Sequence, residues 1–128
     1  MSSFRHSRLL AAVLACVLPL HANAFDCAVQ VRRVLLYKDG GLHVLHSGNE
    51  GYIRFCNMNT NYDGVSPAVC AAWYAKLLLI KKNGGTAQLY YSGTPGSSEG
   101  PVTSCALVRP MGQHDLAPTY VGDISPPN

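Results

Sequence analysis

VQVRRVLLYKDGGLHVLHSGNEGYIRFCNM, the stretch from Val29 to Met58, carries three strand signals separated by two glycine turns. Val29 and Val31 alternate with Gln30 and Arg32, and after Arg33 the run is apolar to Tyr37. β-Branched and aromatic side chains of this kind suit a pleated, half-buried surface, and predict a first strand over Val29 to Tyr37. Asp39-Gly40-Gly41 predicts a hairpin, because glycine supplies the positive φ that a tight turn needs. Leu42 to Leu45 is the return strand, and Ser47 to Gly51 a second turn. Tyr52 to Met58 is the third strand, with Tyr52, Arg54, Cys56 and Met58 on one face by simple alternation.

The next stretch changes period. Ser66-Pro67 reads as an N-cap and first helical residue, and a helix is expected over Val69 to Lys82. Val69, Trp73, Leu77 and Ile80 recur at helical spacing, with Cys70 and Tyr74 beside them and Trp73 as the expected centre of packing. Lys81 and Lys82 suit the negative end of the helix dipole, and Asn83-Gly84-Gly85 stops the helix. Thr86 to Tyr91 is a fourth strand, Ser92 to Val102 a surface loop, Thr119 to Ile124 a final strand, and Ser125 to Asn128 a fraying tail. The expected class is mainly β with one helix. The order β-β-β-α-β-β is that of an OB-fold-like five-stranded barrel. The alternative is an open antiparallel sheet with one helix on its face.

The chain has 128 residues, room for one small domain, and only 13% of them are charged. Arg5, His6 and Arg8 precede an apolar run from Leu9 to Leu20, and Ala22-Asn23-Ala24 follows. That is the pattern of a secretory signal over residues 1–24, giving a single mature domain over 25–128 that begins at Phe25. A run of about 12 apolar residues is short of the roughly 20 a membrane span needs. Lipid attachment at Cys16 is a poorer fit, since Leu14 is bulky and the chain beyond stays apolar. Removing Arg5 and Arg8 leaves eight basic residues against seven acids, a net charge of +1. So weak and scattered a charge gives no support to nucleic-acid binding.

Four cysteines remain in the mature chain: Cys27, Cys56, Cys70 and Cys105. In an exported domain of this size they read as two disulfides, with three connectivities open. The favoured pairing is Cys56–Cys70, closing a short loop between strand and helix, with Cys27–Cys105 tying the first strand to a late loop. No C-x-x-C or H-x-x-x-H spacing suggests a metal, and no cofactor is expected. His43 and His46 fall on opposite faces of one strand, and are expected as surface and partly buried hairpin residues. His114 sits near Asp115, but no G-x-S-x-G accompanies it. The expectation is therefore a non-enzymatic chain.

The tyrosines point to binding. Tyr90 and Tyr91 are adjacent on one strand, so they face opposite ways, and Tyr52, Tyr62 and Tyr120 are further candidates for exposure. Tyrosine among Ser, Asn and Gly makes a surface suited to sugars or peptides.

From the first strand to Tyr91 the chain resembles the B subunits of pertussis-like bacterial toxins, in particular those of the subtilase cytotoxin kind. The resemblance rests on Tyr37 before the glycine turn, Phe55-Cys56, Cys70, the helix with Trp73, Gly84-Gly85, and Tyr90-Tyr91 before Ser92-Gly93. It implies an exported, disulfide-bonded OB-fold that assembles as a ring and binds glycans. Tyr91 matches a sugar-contacting tyrosine of that family. Gln30 stands where the family carries a serine central to sialic-acid binding, which argues against carrying that specificity over. The tail differs too, so a free-standing secreted domain is implied rather than a working toxin. Tyr91, Gln30 and Tyr90 are thus the candidate ligand residues, with a glycan or protein partner and a homo-oligomer in view. If Leu89 faces the core, Tyr91 does so too and only Tyr90 is exposed; a rim position, ring inward and hydroxyl outward, reconciles this with the resemblance. The alternative function is an envelope structural or protein-interaction domain with no sugar site.

Overall fold

A computed structural model describes residues 24–92, 102–108 and 116–125. The expected signal segment before Ala24, most of the expected Ser92–Val102 loop, His114 and the last three residues lie outside these ranges. Five strands and one helix are present: β1 (Phe25–Leu36), β2 (Gly41–His46), β3 (Ile53–Asn57), α1 (Pro67–Lys82), β4 (Thr86–Tyr91) and β5 (Tyr120–Asp123). A single 3₁₀ turn spans Cys105–Leu107. The mainly β class, the strand count and the helix between the third and fourth strands are as expected. The strands form one open antiparallel sheet in the order β3-β2-β1-β4-β5. β3 and β5 are its edges, and α1 packs against β1, β3, β4 and β5. The sheet is thus open, not hydrogen-bonded into a closed barrel, among the described residues. No helix among them is long and apolar enough to cross a membrane.

β1 begins four residues earlier than expected and serves two partners. Phe25–Gln30 pairs with β4, and Val31–Leu36 pairs with β2. Between these halves the ladder slips: Val31 faces His46 but Arg33 faces Leu45, leaving Arg32 as an extra residue. Such a bulge bends a strand and increases its twist. It also explains the Arg32-Arg33 doublet. In a regular strand one of the two would turn inward; with the bulge both are exposed.

A second bulge corrects the expected face of β3. His43 pairs with Arg54 and Leu42 with Cys56, so Phe55 is the extra residue. Cys56 therefore lies on the Ile53 side, with the core, instead of sharing a face with Arg54. From there it reaches Cys70 on α1, with Cα atoms 5.6 Å apart.

The core is a single cluster. Tyr91 and Phe55 are its largest fully buried side chains, joined by Leu42, Val44 and Leu89 from the sheet and Cys70, Leu77 and Ile80 from the helix. Trp73 is buried at its margin rather than its centre, and Val69 is 43% exposed. Cys70, tied to Cys56 of the sheet, takes the place in the helix stripe expected of Val69. The Ser66 hydroxyl accepts the Val69 N–H at 3.3 Å as its cap. Gly84, at φ +64°, turns the chain out of the helix, and the Gly85 N–H returns to the Ile80 carbonyl at 2.8 Å.

Both expected disulfides form. Cys27–Cys105 closes 78 residues with Cα atoms 6.3 Å apart. Asn49 anchors the same turn, its side-chain amide donating to the Cys105 carbonyl at 2.8 Å and to the Val108 carbonyl at 2.6 Å. At the sheet's other edge, the Lys76 ammonium donates to the Val121 carbonyl of β5 at 3.2 Å.

Loop-closure entropy makes the long bridge the larger staple, worth about 4 kcal/mol against about 3 for the short one. Replacing Cys27 and Cys105 by serine should lower urea-unfolding stability by about that larger amount. Peptide mapping of the parent without reductant should find both bridges and no free thiol in residues 25–128.

Candidate functional site

Strand alternation divides the three candidate ligand residues between two faces. Tyr91 pairs with Phe25 and points into the core with Leu89; it is 0% exposed, and its ring stacks on Phe25 at 4.9 Å. Its hydroxyl is buried as well and has no hydrogen-bond partner among the described residues. Burial drives its pKa well above that of an ordinary tyrosine. The expected rim geometry, ring inward and hydroxyl outward, is therefore corrected: Tyr91 is a core residue whose polar atom stays inside.

Tyr90 and Gln30 share the outer face. Tyr90 is opposite Asp26 on one side and Tyr120 on the other, while Gln30 is opposite Thr86. Four residues of strand separate the Tyr90 and Gln30 rungs, roughly 13 Å, so they bound one surface without touching. The Gln30 amide donates to the Thr86 hydroxyl at 2.7 Å. The Gln88 amide, on the rung between, donates to the Asp26 carboxylate. Both glutamines are thereby held in fixed orientations.

Tyr120 completes this surface. It is 55% exposed and Tyr90 39%. A Cβ built on Gly122 would lie 2.6 Å from Tyr120 Cε1, 2.8 Å from the hydroxyl and 3.0 Å from Cζ. The Tyr120 ring therefore occupies the space that a side chain on Gly122 would fill. Sequence reading named Tyr120 as exposed but did not place it in the site. The signal was its spacing: Tyr120 and Gly122 are two residues apart, so they share a face.

A groove of about 460 Å³ opens at the same end of the sheet, where β4 ends and β5 begins. Its walls include Asp63, Val69, Trp73, Ser92, Pro118 and Thr119. Asp63 and Gly64, at φ +45° and +78°, form the centre of a tight turn closed by reciprocal Tyr62 and Val65 backbone bonds. The Asp63 carboxylate accepts the Ala117 N–H at 2.8 Å. The Thr119 hydroxyl donates to Ser92 Oγ at 2.9 Å.

The two strand histidines do fall on opposite faces, but both are fully buried, at 2% for His43 and 1% for His46, which corrects the expectation of surface and partly buried residues. His43 points outward and is covered there by the Tyr37 ring, edge-on at 4.6 Å, and by its cross-strand partner Arg54. The Arg54 guanidinium in turn lies over the Tyr62 ring at 4.7 Å and 4.0 Å from Asp39. His46 lies on the core side, and its Nδ1 accepts the Gly48 N–H at 3.1 Å. Desolvation, then the nearby Arg54 charge, lowers the His43 pKa. Desolvation, with a smaller push from Arg32, holds His46 down to about 4. Among the described residues no three His, Cys, Asp or Glu side chains gather as a metal site. No family model, curated protein or solved structure matches the chain.

The buried histidines set a pH dependence. The unfolded chain binds their protons more tightly, so their contribution is intact above pH 6.5 and declines as pH falls toward 4. His46 alone accounts for about 3 kcal/mol across that window. Denaturant midpoints measured from pH 7.5 to 4 should fall steadily below pH 6.5; a flat profile would show that His46 charges freely in the folded state.

Proposed function

We propose that this chain is a secreted, non-enzymatic binding module that holds a saccharide on the outer face of β1, β4 and β5. The observation that carries this reading is the pair of exposed tyrosines directly opposite each other, Tyr90 and Tyr120, with the Tyr120 ring packed over Gly122. A pyranose presents C–H groups on one face and hydroxyls around its edge. Exposed aromatic rings receive the first, and fixed amides and carboxylates receive the second. Gln88 with Asp26, and Gln30 with Thr86, supply oriented polar groups beside the rings. Tyrosine also brings large contact area at low cost in side-chain entropy.

Export through a signal cleaved after Ala24 supports the extracellular or periplasmic setting, and two disulfides suit an oxidising compartment. The resemblance to toxin B subunits supports a binding role and an oligomer. On this reading, however, sugar contact passes from Tyr91 to Tyr90 and Tyr120. The second reading, an envelope protein-interaction domain, is favoured by Leu78 and Leu79, neighbouring apolar residues on the exposed side of α1.

A glycan array at high protein concentration identifies the sugar, and calorimetry with the best hit gives the affinity. Tyr120→Ala and Tyr90→Ala should each weaken binding by about tenfold or more, the scale of losing one stacking aromatic ring. Both variants should keep the parental melting temperature within a few degrees, because the rings are exposed. Tyr91→Ala should instead destabilise the fold by about 3–5 kcal/mol, as loss of a large core ring does. An empty array, or parental affinity in both exposed-tyrosine variants, would overturn the reading.

A further inference from the structure

We infer that the groove beside Asp63 is a second ligand site, separate from the tyrosine face, and that it takes a primary amine on a short hydrocarbon body. Among the described residues lining it, Asp63 is the only charged one. No described cation pairs with that carboxylate, and the Ala117 N–H fixes its position. Opposite charge is therefore what the described lining lacks. The rest of the lining suits the remainder of such a ligand. Val69, Pro118 and Trp73 offer apolar surface to a methylene chain, and an indole also attracts an ammonium group. The Ser92 and Thr119 hydroxyls add acceptor oxygens for N–H groups on the far wall. The volume, about 460 Å³, lies in the range of small-molecule pockets.

An anion is the obvious competitor, since α1 begins at the groove and helix N-termini attract negative charge. Here the donors are largely spent. Pro67 has no N–H, the Val69 N–H is held by the Ser66 hydroxyl at 3.3 Å, and the Cys70 N–H by the Ser66 carbonyl at 2.9 Å. Of the first four amides only that of Ala68 remains, against one full carboxylate charge.

Trp73 is the single tryptophan of the chain, so its fluorescence reports on this groove directly. The test titrates the mature protein with n-butylamine, with N-acetyl-lysine methylamide, and with 1-butanol and butyrate as neutral and anionic counterparts. Saturable fluorescence change is expected with an amine, weakened by raising salt, and absent with butanol and butyrate. Response to both amines would assign the site to free small amines as well as lysine side chains. Response to the lysine derivative alone would assign it to basic peptides. Asp63→Asn, which keeps an acceptor for Ala117 and tolerates the left-handed backbone, should weaken binding at least tenfold with an unchanged melting temperature. The inference is overturned if neither amine responds, if butanol or butyrate does so equally, or if Asp63→Asn binds as the parent does. Tyr120→Ala leaves this response intact, which separates failure here from failure of the saccharide reading.

Discussion

The fold turns on the double duty of β1. Twelve residues must give backbone hydrogen bonds to β4 on one side and to β2 on the other, in two consecutive halves. Each half of β1 pairs along a different edge, and its apolar residues must stay on one face through the change of partner. The extra residue at Arg32 bends β1 between its two halves and resets the alternation. Val29 and Val31 before it, and Val34 after it, then all point to the core side. The rungs that carry Gln30 and Tyr90 lie in the regular half before the bulge, on the outer face.

The same logic governs the polar interior. Two bulges, two buried imidazoles and a buried tyrosine hydroxyl would each be costly alone in so small a domain. The structure offsets them by covalent ties and by local pairing. The Cys56–Cys70 bridge locks the bulged strand to α1, while Cys27–Cys105 and the Asn49 amide fix one late turn to the sheet. His46 remains neutral because its environment is dry and its Nδ1 is already an acceptor.

Much of this was legible in the residues. Glycine turns, the Ser66 cap, the lysines at the helix end and the cysteine pairing all act within short range, and all appear where the chemistry places them. The bulges were harder, because a two-residue period assumes that no residue is inserted. Arg32-Arg33 was the visible trace of one; Phe55 left none, since an apolar residue fits either face. Burial of His43 depends on Tyr37 and Arg54, which only the folded hairpin brings over it. For Tyr91, alternation with Leu89 gave the right face, and the family resemblance pulled the other way. The groove was not legible at all. Its walls come from the Asp63 turn, the start of α1 and the approach to β5, segments far apart in the chain.

β5 is a short strand at the border of an open sheet, and such borders offer unpaired backbone groups to any passing extended chain. Lys76 reaches across from α1 and occupies the Val121 carbonyl with its ammonium group. The helix thus serves as a guard as well as a packing layer. A positive charge parked on the rim repels the like rim of a second molecule and denies it a docking register. The domain can therefore leave one side of its sheet unclosed without seeding strand-by-strand polymerisation from that border.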